Sequence, residues 1–328
     1  MKPLVASAAR ITIAVIAGTT LLTLGAGCLV RQPSFGTVAF PGSARADAGR
    51  IASHVKFLAD PLHPRDWQHP EGLERASAYI AGQLGQTGAR ISEQPYTIGK
   101  FKSKNVIAKL GPETGPRIVI GAHYDACGPH PGADDNASGV AGLLELARLL
   151  DHQALSSPVE LVAYSTEEPP WFGGDEMGSA HHAAELSRSG AGVSAMISLE
   201  MIGYFVPKQP TGESLLLRLL YPSHGEFIAV VGRWQDRGLV RRVKTCFRGA
   251  TDVQAVSFSG PAKYGVDLSD QRSYWAQGFP GIMVTDTAFL RSDHYHSPTD
   301  TADTLDYRRL AGVVDGVFST VVHLANPN

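Results

Sequence analysis

Apolar and polar positions alternate between two rhythms along this chain. Ile51, Val55 and Leu58 recur at helical spacing. Leu73, Ala76, Tyr79, Ile80 and Leu84 share one side of a second helix predicted over 71–84. Then come short, nearly unbroken apolar runs: NVIAKL at 105–110, RIVIGA at 117–122, VELVAYS at 159–165, AMISL at 195–199 and GIMVT at 281–285. Such runs predict strands buried on both faces. VAGLLELARLL at 140–150 predicts a buried helix, and 307–324 a closing one. Strands separated by helices imply an α/β fold, with a mixed, mostly parallel central sheet and helices on both faces. Residues 205–265 are less regular and read as an insertion capping the sheet edge. There is no internal repeat.

The amino-terminal segment departs from this pattern. Residues 11–30, ITIAVIAGTTLLTLGAGCLV, are uncharged, with Lys2 and Arg10 before them and Arg31 after. About 20 residues at ~1.5 Å each cover a bilayer core. Residues 1–31 therefore read as a signal sequence or membrane anchor. Gly25-Ala26-Gly27-Cys28 resembles the lipobox of bacterial lipoproteins, in which the cysteine is acylated, although Gly25 stands where that motif prefers Leu. The expectation is an exported protein of the cell envelope, periplasmic or held to the membrane by this segment or a lipidated Cys28. Residues 32–46 contain Gly, Pro and Ser throughout and read as a linker. One domain, 47–328, follows.

Composition narrows the function. Of 328 residues, 43% are hydrophobic and 18% charged, which supports a large core and excludes global disorder. With 29 basic and 31 acidic residues, the net charge of −2 argues against a nucleic-acid partner. Three cysteines are too few for a disulfide scaffold. Cys127 and Cys246 could pair in an oxidising compartment, but nothing in the sequence brings them together.

In an open parallel sheet, ligands bind outside the carboxyl ends of the strands. Here those ends run into charged residues. Strand 117–122 leads into His123-Tyr124-Asp125, and strand 159–165 into Thr166-Glu167-Glu168. Strand 195–199 leads into Glu200, and strand 281–285, after a loop, into His294-Tyr295-His296. The loop before helix 140–150 holds Asp134-Asp135-Asn136. Singly, these admit plain readings: a surface imidazole, a helix cap, a solvated turn. Jointly, imidazoles and carboxylates at one edge suit zinc. A carboxylate extending a buried strand, as Glu200 does, needs a partner or a metal.

GAHYDA (121–126), PGADDNASGVAGLLELARLL (131–150), STEEP (165–169), SLEMIGY (198–204) and YHSPTDT (295–301) occur in an order similar to that of the M28 family of zinc peptidases, which includes bacterial aminopeptidases. The resemblance implies a zinc-peptidase fold and a zinc-dependent aminopeptidase acting on peptide substrates. It implies two Zn2+ ions, with Asp135 bridging, His123 and Glu200 completing one site, and Glu168 and His296 the other. Glu167 would be the general base, Asp125 would orient His123, and Tyr295 would help hold the oxyanion. Glutaminyl cyclases are similar in fold and motifs, so a single-zinc acyltransferase is the alternative enzyme. A metal-free binding module on the same fold is the nonenzymatic one.

Two positions depart from the family pattern. Many members carry Asp where this chain has Glu200, and Ser-Asp-His where it has Ser269-Asp270-Gln271. His181 and His182 fall on a predicted helix and read as structural. His294 lacks the motif position. Trp171 and Phe172 follow the glutamates and suit either a specificity pocket or the core.

Overall fold

Arg117–His123 (β3) is buried along almost its whole length, because neighbouring strands flank it on both edges and helices cover both faces. The computed structural model that shows this describes residue 25 and residues 27–209, 221–261 and 265–327. Most of the apolar run 11–30 therefore lies outside the described residues. Residues 27–30 of it are helical, together with Arg31. Among the described residues, no helix is long and apolar enough to cross a membrane.

The remaining strands are Arg90–Ile98 (β1), Phe101–Leu110 (β2), Val159–Tyr164 (β4), Val193–Glu200 (β5), Phe227–Gly232 (β6), Gln254–Ser259 (β7) and Gly281–Thr285 (β8). They form one sheet in the order β1-β2-β4-β3-β5-β8-β6-β7. The central strands β4, β3, β5 and β8 run parallel, while β1, β2 and β6 pair antiparallel to their inner neighbours. The sheet is thus mixed with a parallel centre, as the apolar runs implied.

The helices are Ala48–Ala59 (α1), Pro70–Leu84 (α2), Gly139–Leu150 (α3), Gly178–Arg188 (α4), Arg237–Ala250 (α5), Gln271–Ala276 (α6) and Tyr307–Ala325 (α7). Alternation along β3 divides its side chains between two cores. Ile118, Ile120 and Ala122 pack in the larger core with α1, α2, α3, α5 and α7, whereas Val119 faces the other side. There Val162, Tyr164 and Met196 meet Ala183 and Leu186 of α4 and Tyr274 of α6. Caps set some helix starts: Asp47 accepts from the amides of Gly49 and Arg50, and Asp306 from that of Arg309.

Two regions differ from the sequence expectation. Residues 205–265 are not merely a cap, since β6, α5 and β7 within them extend the sheet by two strands. The apolar faces of β6 are explained by burial on both sides: Ile228 and Val230 join the large core, and Phe227, Ala229 and Val231 a separate cluster. β1 has no apolar run because it is an edge strand, half exposed and carrying Pro95, which such a position tolerates.

Residues 32–46, read as a linker, contain neither helix nor strand and lie against α5 and α7. Lys244 donates to the carbonyls of Arg31 and Gln32, and Arg248 to that of Gly36. The Phe40 ring lies 5.5 Å from that of Phe318, and the Ala46 amide donates to Asp315.

Candidate metal centre

The parallel centre of the sheet delivers the site. β3 ends in His123 and β5 in Glu200, and β4 continues through Ser165 and Thr166 into Glu167 and Glu168. Asp135 sits in the tight turn Ala133–Ser138 that opens α3, and His296 comes from the loop after β8. All five predicted ligands converge. His123 Nε2 lies 3.3 Å from Asp135 Oδ1 and 3.4 Å from Glu200 Oε2. His296 Nε2 lies 3.2 Å from Asp135 Oδ2 and 3.2 Å from Glu168 Oε2. Asp135 thus turns one oxygen to each histidine.

These separations test whether a metal fits. Donors ~2.0–2.1 Å from a tetrahedral zinc ion stand about 3.3–3.4 Å apart. The observed spacings match that edge length. His123 Nε2 and Glu168 Oε1 are buried with no hydrogen-bond partner, which is costly unless something else occupies them. Charge points the same way. Asp125, Asp135, Glu167, Glu168 and Glu200 are all buried, with His123 and His296 among them. Burial alone would lower the His123 pKa, but the carboxylates of Glu200 and Glu167 hold it well above the usual value. Burial pushes Glu168 well up, and Asp135 adds to the rise. Five buried carboxylates around two imidazoles call for cations.

The other predicted residues lie in the same place. Glu167 Oε2 is 3.9 Å from His123 Nε2, and its carboxyl is pushed well up by burial and by Glu200 and Glu168, against the pull of His123. Asp125 touches both elements: its carboxylate accepts from the amides of Glu167 at 3.3 Å and Glu168 at 3.0 Å. Its main-chain carbonyl lies 3.1 Å from His123 Nδ1. Tyr295 stacks on His296 with ring centroids 3.7 Å apart, and both border a cavity beside the ligands. Burial and the nearby Asp135 and Glu168 raise its phenol pKa.

The backbone is bent where it carries ligands. Thr166, Met201 and His296 adopt left-handed φ values of 60°, 48° and 50°. Such residues cost of order 1–3 kcal/mol each and cluster at functional sites.

Several supports have no signal in the sequence. Arg65 is fully buried and donates to the carbonyls of Leu58, Tyr124, Pro131 and Gly132. It pins both ends of the loop joining His123 to Asp135. Burial lowers its pKa to about 10, against the attraction of Asp300 and Asp125, so it stays charged at neutral pH. Asp300 accepts from the amides of Asp134 and Asp135, and Asn136 joins the turn to Leu199 and Met201. Cys127 also approaches Glu168 and His296. It and Cys246 are free thiols.

The remaining candidates lie elsewhere. His182 belongs to a buried network with Tyr274 and Glu160, and His181 stacks on Tyr96. His294 pairs with Thr299. Gln271 is fully buried and donates to the Val266 carbonyl. Of the two aromatics after the glutamates, Phe172 borders the cavity, while Trp171 packs between Trp67 and Phe101.

Comparison with known proteins agrees with this fold. The model of peptidase family M28 matches residues 105–321. The uncharacterized protein YfbL of Escherichia coli (strain K12) is 46% identical over 293 residues, spanning 86% of this chain and 90% of YfbL. Two solved structures share the fold. One is BSAP, a zinc aminopeptidase from Bacillus subtilis, with a TM-score of 0.70 at 14% identity, covering 87% of this chain and 97% of that one. The other is Bacteroides thetaiotaomicron glutaminyl cyclase bound to N-acetylhistamine, with a TM-score of 0.65 at 20% identity, covering 86% and 99%. The chain, with its mixed α/β sheet and its carboxylates and histidines gathered at the carboxyl ends of the parallel strands, belongs to peptidase family M28.

Proposed function

We propose that this M28 hydrolase is an exported zinc aminopeptidase that cleaves the N-terminal peptide bond of peptides. The observation that carries the reading is Asp135, whose two oxygens face His123 at 3.3 Å and His296 at 3.2 Å, each imidazole lying 3.2–3.4 Å from a further carboxylate. His123, Asp135 and Glu200 would hold one ion, and Asp135, Glu168 and His296 the other. Such ions, when bound, polarise a carbonyl and activate water.

The chain's own residues do the rest. Glu167 is the buried carboxylate next to the ligands with no ligand role in this scheme, so it takes the water proton and passes it to the leaving amine. Asp125 holds His123 and the Glu167-Glu168 main chain in one frame. Tyr295, fixed by its stack on His296, offers its hydroxyl to the developing oxyanion.

The adjoining cavity supports a preference for bulky apolar N-terminal residues. It measures about 580 Å³ and is walled by Phe227, Val231, Val256, Phe258, Leu268 and Met283. The first four come from β6 and β7, and Met283 from β8.

Metal analysis together with a substrate screen tests the reading. About two zinc ions per chain and faster release of leucine or phenylalanine than of lysine are expected. One zinc with cyclisation of N-terminal glutamine would favour the glutaminyl cyclase alternative. No metal and no turnover would favour a binding module. For location, the native chain is expected in the membrane fraction, with lipid labelling abolished by Cys28→Ser. A full-length chain found in the cytosol would overturn export.

A further inference from the structure

We propose that Cys127 is a fourth protein ligand at the Glu168–His296 half of the centre, so that this half is closed by protein donors while the His123–Glu200 half stays open. The inference rests on the two-metal reading above and adds to it a sulfur donor.

Three observations carry it. First, Cys127, Glu168 and His296 present donor atoms that all lie within 4.8 Å of one another. Second, Glu168 is only 5% exposed and its Oε1 has no hydrogen-bond partner, so a buried carboxylate of this cluster lacks the group that would satisfy it. Third, the main chain on either side of Cys127 is held in place. The Ala126 amide donates to the Arg65 carbonyl at 2.9 Å, and the Arg65 guanidinium grips Tyr124, Pro131 and Gly132 on either side of Cys127. Cys127 is not in a disulfide.

Counting donors shows the consequence. The His123 half has one imidazole and two carboxylates, Asp135 and Glu200. The His296 half has the same types from His296, Asp135 and Glu168, and Cys127 adds a fourth donor. Four protein ligands are typical of closed zinc sites, and three plus an open position of catalytic ones. The open half then receives the substrate, while the closed half holds its ion more firmly and anchors the bridging Asp135. A thiolate also biases that half toward zinc over magnesium, calcium or manganese. Coordination changes no oxidation state: the S–H bond breaks, its proton leaves to solvent, and the sulfur lone pair forms the metal bond.

Loading the full chain with cobalt(II) tests this without any activity assay. Two cobalt ions per chain and a thiolate-to-cobalt charge-transfer absorption in the near ultraviolet are expected. Cys246→Ala should keep that absorption and Cys127→Ser should lose it. Cys127→Ser should also weaken one of the two metals by at least roughly tenfold, the lower end for groups that merely support a ligand. In the unmodified chain, zinc should protect Cys127 from iodoacetamide, a readout that needs no variant to fold. Two bound cobalt ions without the absorption, or equal alkylation of Cys127 with and without zinc, would overturn the sulfur ligand and leave the two-metal reading standing. A chain that binds no cobalt or zinc would overturn both.

Discussion

Ser269 donates its hydroxyl to Glu200 Oε2 at 2.7 Å, and the same oxygen lies 3.4 Å from His123 Nε2. Glu has one more rotatable bond than Asp, so Glu200 needs such a tether to present its oxygen at a fixed point. Ser269 is itself fixed by a 2.9 Å contact with Ser198 Oγ on β5. Removing the tether with Ser269→Ala is expected to lower metal affinity at the His123 half by roughly 10–100-fold, as for other groups that orient a ligand. Titration with a competing chelator measures this. Unchanged affinity for both metals would show that Glu200 holds its position unaided.

Glu167 and Glu168 are adjacent yet have different expected roles. Glu167→Gln keeps nearly the same volume and leaves the five ligands in place. Its metals should remain while kcat falls by roughly 10²–10⁴, the usual weight of a general base. Glu168→Gln should lose metal instead, and excess zinc should restore part of its activity. Metal content and kcat of both variants, with and without added zinc, decide the matter. Loss of metal from Glu167→Gln, or near-normal turnover in it, would reverse the assignment.

Arg65 is a structural keystone of the loop that joins His123 to Asp135. Arg65→Met fills similar space but leaves four carbonyls, three of them buried, without this donor and Asp300 without a nearby cation. A loss of about 3–5 kcal/mol is expected, comparable to breaking a buried ion pair. Thermal or denaturant unfolding measures it. Arg65→Lys should recover only part, because an ammonium has three donors and no planar fork.

Asp134 and Asp286 supply a pH dependence. They face each other in the core, and burial pushes Asp286 up to about 6 against the pull of Arg291. An acid whose folded pKa is raised binds its proton more tightly when folded. Its stabilisation is complete below the unfolded pKa, near 4, and is lost as pH rises through about 6. Burial, and then Asp286, also hold the Asp134 carboxyl well above its usual pKa, and Asp134→Asn replaces that acid with a permanent amide donor while its oxygen still accepts from Gly203. The variant should therefore lose less stability than the wild type between pH 4 and pH 7. Parallel melting curves in the two acids' titration range test this, and identical pH slopes would contradict it.

Much of the fold was legible because burial leaves a local trace. β3, β4, β5 and β8 read as apolar runs since both their faces are covered. β1 did not, because an exposed edge strand needs no apolar face, and the β6–α5–β7 unit lay hidden in a stretch of mixed composition. The polar residues at the strand ends were legible for a related reason: a carboxylate directly after a buried strand has few stable surroundings.

The sequence by itself determined the buried central strands, the helices with a clear apolar face and the residues offered at the sheet's carboxyl edge, since each depends on neighbours a few positions away. Only the tertiary structure decided that Asp135 divides its oxygens between His123 and His296, that Ser269 tethers Glu200, and that Cys127 meets Glu168 and His296. Arg65 shows the reason most plainly. Its bonds to Tyr124, Pro131 and Gly132 join residues 59 to 67 positions apart. Contacts made across such distances depend on strand register and loop path, and they leave no periodicity in the chain.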